Sequence, residues 1–218
     1  MAASTRSFVL RHTRLRAVPG LEEVRLHLAD DVLPLWHAAQ VETRDPDAPL
    51  PYWAFAWAGG LAIGRHLRAQ PAVVAGRRVF DLGSGSGLCA IAAMLAGALS
   101  AAGSDIDPFA AAAIPLNARA NRCRVDAVRR DVLDDEPPEV DVILAADCWY
   151  EAALAERVLP WLRRAHERGI EVLVGDPGRR YLPVDDLVEQ AVYEVRTTTA
   201  LEDMDRKRAA VYALTPAE

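Results

Sequence analysis

Residues 77–107 constrain the fold more than any other stretch of this 218-residue chain. They read Arg-Arg-Val-Phe-Asp-Leu-Gly-Ser-Gly-Ser-Gly-Leu-Cys-Ala-Ile-Ala-Ala-Met-Leu-Ala-Gly-Ala-Leu-Ser-Ala-Ala-Gly-Ser-Asp-Ile-Asp. The pattern predicts a buried strand ending at Asp81, a glycine turn, an alanine-rich helix closed by Gly97, and a second strand ending at Asp105. This is one half of a nucleotide-binding βαβ unit. Gly83, Gly85 and Gly87 remove side chains where the backbone turns sharply, where a ligand touches the main chain, or where a helix packs on a strand.

The dinucleotide fingerprint G-x-G-x-x-G needs glycine at position 88, but Leu88 stands there and the third glycine falls at Gly87. The resulting Asp-x-Gly-x-Gly-x-Gly resembles motif I of the class I S-adenosylmethionine (SAM) methyltransferases. That resemblance implies that Asp81 lies by the methionine end of the cofactor, that the three glycines underlie ribose and methionine, and that Asp105, followed by Ile106, grips the ribose hydroxyls. It also implies that Asp131 and Val132, after the third strand, face the adenine. An acid there is also common as a helix cap.

Composition narrows the remaining classes. A net charge of −6 argues against a broad nucleic-acid surface. Arg119, Arg122, Arg124, Arg129 and Arg130 then read as a solvated helix end. Cys89, Cys123 and Cys148 lack paired or metal-like spacing, which suits a reducing compartment; a cytoplasmic location without a bound metal is expected. No uncharged apolar run is long enough to span a bilayer. The Arg-rich start, without an acid before Glu22, has the composition of a presequence but reads as an N-terminal arm. Lys207 is the only lysine.

The chain divides into an N-terminal extension at 1–50 and a main domain at 51–218. Residues 6–18 are expected to form a basic helix or irregular arm, 23–28 a half-buried strand, and 32–39 a short helix capped by Asp30 or Asp31. A loop from 43 to 51 leads to Tyr52-Trp53-Ala54-Phe55-Ala56-Trp57, whose four aromatics cannot share one helix face. A helix over 61–70 enters the βαβ unit. Asp107-Pro108 starts the next helix, which Pro115 should kink before about Asn121. Strands follow over 125–130, 140–147 and 170–175, with a helix over 152–168. Closing strands are expected over 192–198 and 209–214, separated by a charged loop from Glu202 to Arg208. The whole is an α/β, Rossmann-like seven-stranded sheet with helices on both faces.

Several stretches together resemble one branch of the class I methyltransferases, the lysine methyltransferases of electron transfer flavoprotein beta subunit. These are Tyr52-Trp53-Ala54, Trp57-Ala58-Gly59-Gly60, the glycine motif, Asp105-Ile106-Asp107-Pro108, Leu116-Asn117, Asp147-Cys148-Trp149-Tyr150 and Gly175-Asp176-Pro177-Gly178-Arg179. The resemblance places Trp57 beside the cofactor, Ala146 and Asp147 near its methionine end, and Tyr150 at the substrate mouth. Ala58, where relatives usually carry proline, and Pro115 depart from the pattern. The implied activity is SAM-dependent methylation of protein lysine, on electron transfer flavoprotein beta subunit or a ribosomal protein, by a monomer. Asp147 and Tyr150 would orient the amine; Trp149, Tyr150 and Trp53 or Tyr52 would wall its channel. Asn/Asp-Pro-Pro-Tyr, expected of a nucleic-acid amino methyltransferase, is absent because Cys148 and Trp149 replace the prolines. A nicotinamide-type small-molecule N-methyltransferase and a non-catalytic SAM-binding partner protein remain as alternatives.

Overall fold

The computed structural model describes residues 2–197 and 206–215. The chain begins with α1 (Ala2–His12), β1 (Arg14–Val18), β2 (Leu21–Leu28) and α2 (Val32–Thr43). A short 3₁₀ turn, Tyr52–Ala54, then leads into α3 (Ala58–Ala69). The main sheet is built by β3 (Arg78–Leu82), α4 (Leu88–Leu95), β4 (Ser100–Asp105), α5 (Pro108–Ala120), β5 (Asp126–Arg129) and β6 (Val142–Ala146). It is completed by α6 (Ala152–Glu167), β7 (Glu171–Asp176), β8 (Leu187–Arg196) and β9 (Arg206–Leu214).

The seven strands lie in the order β5-β4-β3-β6-β7-β9-β8. The first five run parallel, whereas β9 is antiparallel to both β7 and β8. Strand alternation divides the interior into two layers. Val79, Val142, Leu144 and Leu173 join α3, α4 and α5 on one face. Phe80, Leu82, Ile143, Ala145, Val172 and Val174 join α6 on the other. Strand order reverses between β3's neighbours β4 and β6, and the carboxyl ends of these strands are where an open α/β sheet receives its ligand.

Asp31 caps α2 through Leu33 N–H at 3.2 Å, and Asp107 caps α5 through Phe109 N–H at 2.7 Å. The expected arm at 6–18 is a helix followed by β1, whose Arg14-Leu15-Arg16 stays largely at the surface while Val18 is buried. The helix expected to end at Ala39 runs on to Thr43, closed by Arg44 in the left-handed region. The strand expected from Val192 begins at Leu187, because pairing along an edge requires only backbone groups and its side chains there are mostly exposed. The final strand begins at Arg206, inside the expected charged loop; the rest of that loop, with Thr198, lies outside the described residues. Pro115 stands within α5, which continues through it to Ala120.

The N-terminal extension is part of the main packing. Val18, Leu21, Val24 and Leu26 enter the core shared by α3 and α4. Asn117 of α5 and its C-cap residue Asn121 accept the backbone N–H groups of His27 and Arg25 at 2.7 and 2.8 Å. Phe8 and Val9 of α1 pack with Leu35, Trp53 and Phe109 in a third cluster.

Candidate active site

The turn after β3 forms the floor of the site. All three glycines have positive φ, 62° at Gly83, 52° at Gly85 and 83° at Gly87. Ser84 N–H reaches Ser104 O of β4 at 2.8 Å, tying the turn to the neighbouring strand. Gly83 and Gly85 line a cleft of about 600 Å³, but Gly87 does not. Gly87 is the N-cap of α4, and its φ of 83° is a conformation that glycine adopts without strain, whereas a Cβ there would be in ordinary contact with Ile114 at 3.5 Å. Gly87, expected to contact the cofactor, stands at this helix start and not among the residues lining the cleft.

Two carboxylates flank that turn. Asp81 Oδ2 accepts Ser84 Oγ–H at 2.6 Å and Ala90 N–H at 3.1 Å, while its Oδ1 has no donor among the described residues. Burial pushes Asp81 up to about 7, against the lowering effect of those two bonds. Asp105 accepts Gly85 N–H and Asp107 N–H, both at 2.9 Å, through different oxygens. Burial raises Asp105 as well, and pushes the cap residue Asp107 up to about 6. Beyond them, Ile106 is 67% exposed and lines the cleft with Asp131 and Val132. The Asp131 carboxylate is already engaged by Arg157 at 2.8 Å and by Leu133 N–H at 3.0 Å. The Arg157 hydrogen bond holds it below the usual carboxylate range.

The other end of the cleft is built around Asp147, which follows Ala146 at the end of β6. Its φ is 59°, a left-handed conformation unfavourable for a residue with a Cβ. The carboxylate receives Gly59 N–H at 3.0 Å and Gly60 N–H at 2.8 Å from the first turn of α3. Arg179 donates to the same carboxylate and also lies 3.4 Å from Asp176 Oδ2. Asp176 in turn accepts the N–H groups of Gly178 and Arg179 at 2.7 and 2.6 Å, fixing the turn that carries the guanidinium. Burial raises Asp147, while Arg179 and the two amides oppose the rise.

Aromatic rings close the mouth. Tyr52 stands 5.4 Å from the Tyr150 ring and 5.6 Å, edge-on, from Trp57. Trp57 Nε1 donates to Tyr52 O at 2.9 Å. Tyr150 is 48% exposed, and burial of its remainder pushes its hydroxyl up to about 12. Trp149, expected in this wall, is 1% exposed and sits in the core beneath α6. It does not border the cleft, because the backbone turn at Asp147 directs the next tryptophan inward and Tyr150 outward. Trp53 borders the cleft but is itself buried, 6.0 Å from Phe109.

Thus Trp57, Asp81, Gly83, Gly85, Asp105, Ile106, Asp131, Val132, Ala146, Asp147 and Tyr150 converge on one cleft. Sequence reasoning missed Ser84, Arg157 and Arg179 as site residues; Lys207 borders the same cleft. Arg179 was visible within the Gly-Asp-Pro-Gly-Arg turn, although its ion pair with Asp147 spans 32 residues of sequence.

A family model described as ribosomal protein L11 methyltransferase (PrmA) matches residues 67–148, the part containing the glycine turn and Asp147. The electron transfer flavoprotein beta subunit lysine methyltransferase of Xenopus laevis is 34% identical over 221 residues, covering 99% of this chain and 89% of the relative. That of Danio rerio is 37% identical over 180 residues, covering 80% of this chain and 67% of the relative. Among solved structures, magnesium protoporphyrin IX methyltransferase of Synechocystis with bound SAM has a TM-score of 0.51 at 14% identity, covering 72% of this chain and 78% of that one. The fold is therefore that of the Rossmann-like methyltransferases, and the chain, a SAM-dependent methyltransferase, belongs to the electron transfer flavoprotein beta subunit lysine methyltransferase family.

Proposed function

We propose that this protein methylates lysine side chains of electron transfer flavoprotein beta subunit, with SAM as donor, in the reducing environment of the cytoplasm. The observation that carries the reading is a single cleft with buried carboxylates Asp81 and Asp105 at one end and Asp147, Tyr52 and Tyr150 at the other. Nicotinamide-type chemistry would use the same cofactor end; the family relationship favours a protein substrate.

The donor set fits SAM. Asp81 has a carboxylate oxygen with no donor among the described residues, suited to an ammonium group, and both Asp105 oxygens keep acceptor capacity for vicinal hydroxyls. Gly83 and Gly85 present bare backbone to the cleft, and Val132 with Ile106 offers apolar contact for a purine. Asp131 contributes by position, since Arg157 and Leu133 N–H occupy its carboxylate. Bound SAM supplies a methyl group already activated by its sulfonium.

The protein's task is then to present an unprotonated amine in line. A free lysine amine has a pKa of about 10.4 and is almost wholly protonated at neutral pH. Tyr52, Trp57 and Tyr150 wall the mouth, and an amine held against these rings loses part of its hydration, which disfavours the charged form. Asp147 Oδ1 is occupied by Gly59 N–H and Arg179, whereas Oδ2 accepts Gly60 N–H and keeps capacity for one N–H of the amine. Asp147 therefore orients the amine, with Arg179 offsetting the negative charge that would otherwise hold it as an ammonium. Proton loss is to water, and the neutral amine attacks.

Incubating the purified protein with labelled SAM and purified electron transfer flavoprotein beta subunit, followed by mass spectrometry, tests the reading. Label on lysine of that subunit is expected. Label confined to small amines, with SAM bound, would transfer the assignment to the nicotinamide-type reading.

A further inference from the structure

The only lysine in the chain borders the methyl-transfer cleft. Lys207 lies at the start of β9, paired with Val195 of β8. Its side chain shares a strand face with Ala209 and Val211, both packed in the α3 core. The pairing of β9 with β7 begins at Ala210 opposite Asp176, so Lys207 stands three residues further along, about 10 Å past the end of β7 at the usual strand rise. That carries it over the carboxyl edge of the sheet, where Arg179, Asp147 and Tyr150 border the same cleft.

We infer that Lys207 is an intramolecular methyl acceptor, so that the protein methylates itself at this position. The inference rests on the lysine-methylating chemistry proposed above. Every other residue counted with lysine among the strong bases is an arginine, whose delocalised guanidinium stays protonated and is no substitute for an amine nucleophile. Lys207 is therefore the one side-chain amine the chain can offer, and the sheet delivers it to the site. Holding acceptor and donor in one molecule replaces a bimolecular encounter with a local one, so a modest fraction of productive geometries is sufficient. The Nζ lone pair forms the new N–C bond as the S–C bond of the sulfonium breaks. The S–C electron pair stays on sulfur as a neutral thioether, and the proton lost from nitrogen goes to water.

The full-length protein, freshly purified, should show methyl-sized mass increments that map to the Lys207 peptide. Incubation with SAM bearing a deuterated methyl group should add label there at a rate per molecule unchanged by tenfold dilution. Lys207→Arg should take up no label while still binding SAM in an equilibrium titration and methylating the flavoprotein subunit. An unmodified Lys207 in a protein that binds SAM and labels the subunit would overturn the inference and leave the proposed function standing. A rate per molecule that falls in proportion to dilution would overturn the intramolecular assignment. Label on Lys207 without label on the subunit would support self-methylation and remove the substrate assignment.

Discussion

Gly60 N–H donates to Asp147 Oδ2 at 2.8 Å, clamping the first turn of α3 to the end of β6 through a carboxylate whose own backbone is left-handed. Gly59 N–H and Arg179 complete the clamp at Oδ1. Asp147→Ala would leave two amides without their acceptor and remove the nearer of the two carboxylates that the largely buried Arg179 guanidinium engages. It should cost about 3 kcal/mol of stability, a loss typical of breaking a buried pair, and abolish turnover. Asp147→Asn keeps one acceptor oxygen and should retain more of the fold than of the activity. Urea unfolding and single-turnover methylation, measured side by side on both variants, check this.

Asp81 gives the cleft a pH signature. Its pKa is raised to about 7 by burial, so its effect on folding is favourable at low pH, declines above the unfolded value near 4, and is fully lost as pH rises through about 7. Asp81→Asn should flatten that decline in a thermal-melt series from pH 5 to 8. An ammonium group binds the ionised carboxylate, so SAM affinity of the wild type should fall as pH drops below about 7, and Asp81→Asn should weaken binding across the range. Equilibrium titration of SAM at stepped pH measures it.

Adjacent aromatics should separate stability from catalysis. Trp149→Ala removes a buried indole and should cost about 3 kcal/mol or more, while Trp149→Phe should preserve SAM affinity and most turnover. Tyr150→Ala should leave the melting temperature close to wild type but raise KM for the protein substrate and lower kcat, because it opens the mouth beside Tyr52. Melting curves and steady-state kinetics of the three variants distinguish these outcomes.

The glycine turn should divide similarly. Gly87→Ala carries the left-handed penalty of about 1–2 kcal/mol but no cleft contact, so its SAM affinity should exceed that of Gly85→Ala, where a new methyl also projects from a residue bordering the cleft. Calorimetric titration of both variants at a temperature where each is folded gives the comparison.

The βαβ unit was legible because its information is local: an apolar run, a turn requiring bare backbone, an alanine-rich helix and an acid at each strand end. Asp81 and Asp105 consequently meet the expected cleft. Trp149, expected in the channel wall, lies in the core instead, because a motif at a strand end does not state which side of the loop each side chain occupies. That orientation follows from φ at Asp147, held by amides 87 and 88 residues away and by an arginine 32 residues away. The early part of β8 was missed for a different reason: Val188, Glu189 and Gln190 lie exposed on an edge strand, where backbone pairing gives little hydrophobic signature.

Leu21 of the N-terminal hairpin seats against Gly64 of α3, where a Cβ would come within 2.5 Å of Leu21 Cδ1. The missing side chain is a keyhole, and the hairpin is the key that occupies it. Removing the first 50 residues would therefore expose the back of the helix whose front turn holds Asp147. The hairpin that looks appended in the linear chain is a buttress of the catalytic mouth, and a protease cut at its Pro19-Gly20 turn should silence methylation without touching a residue that lines the cleft.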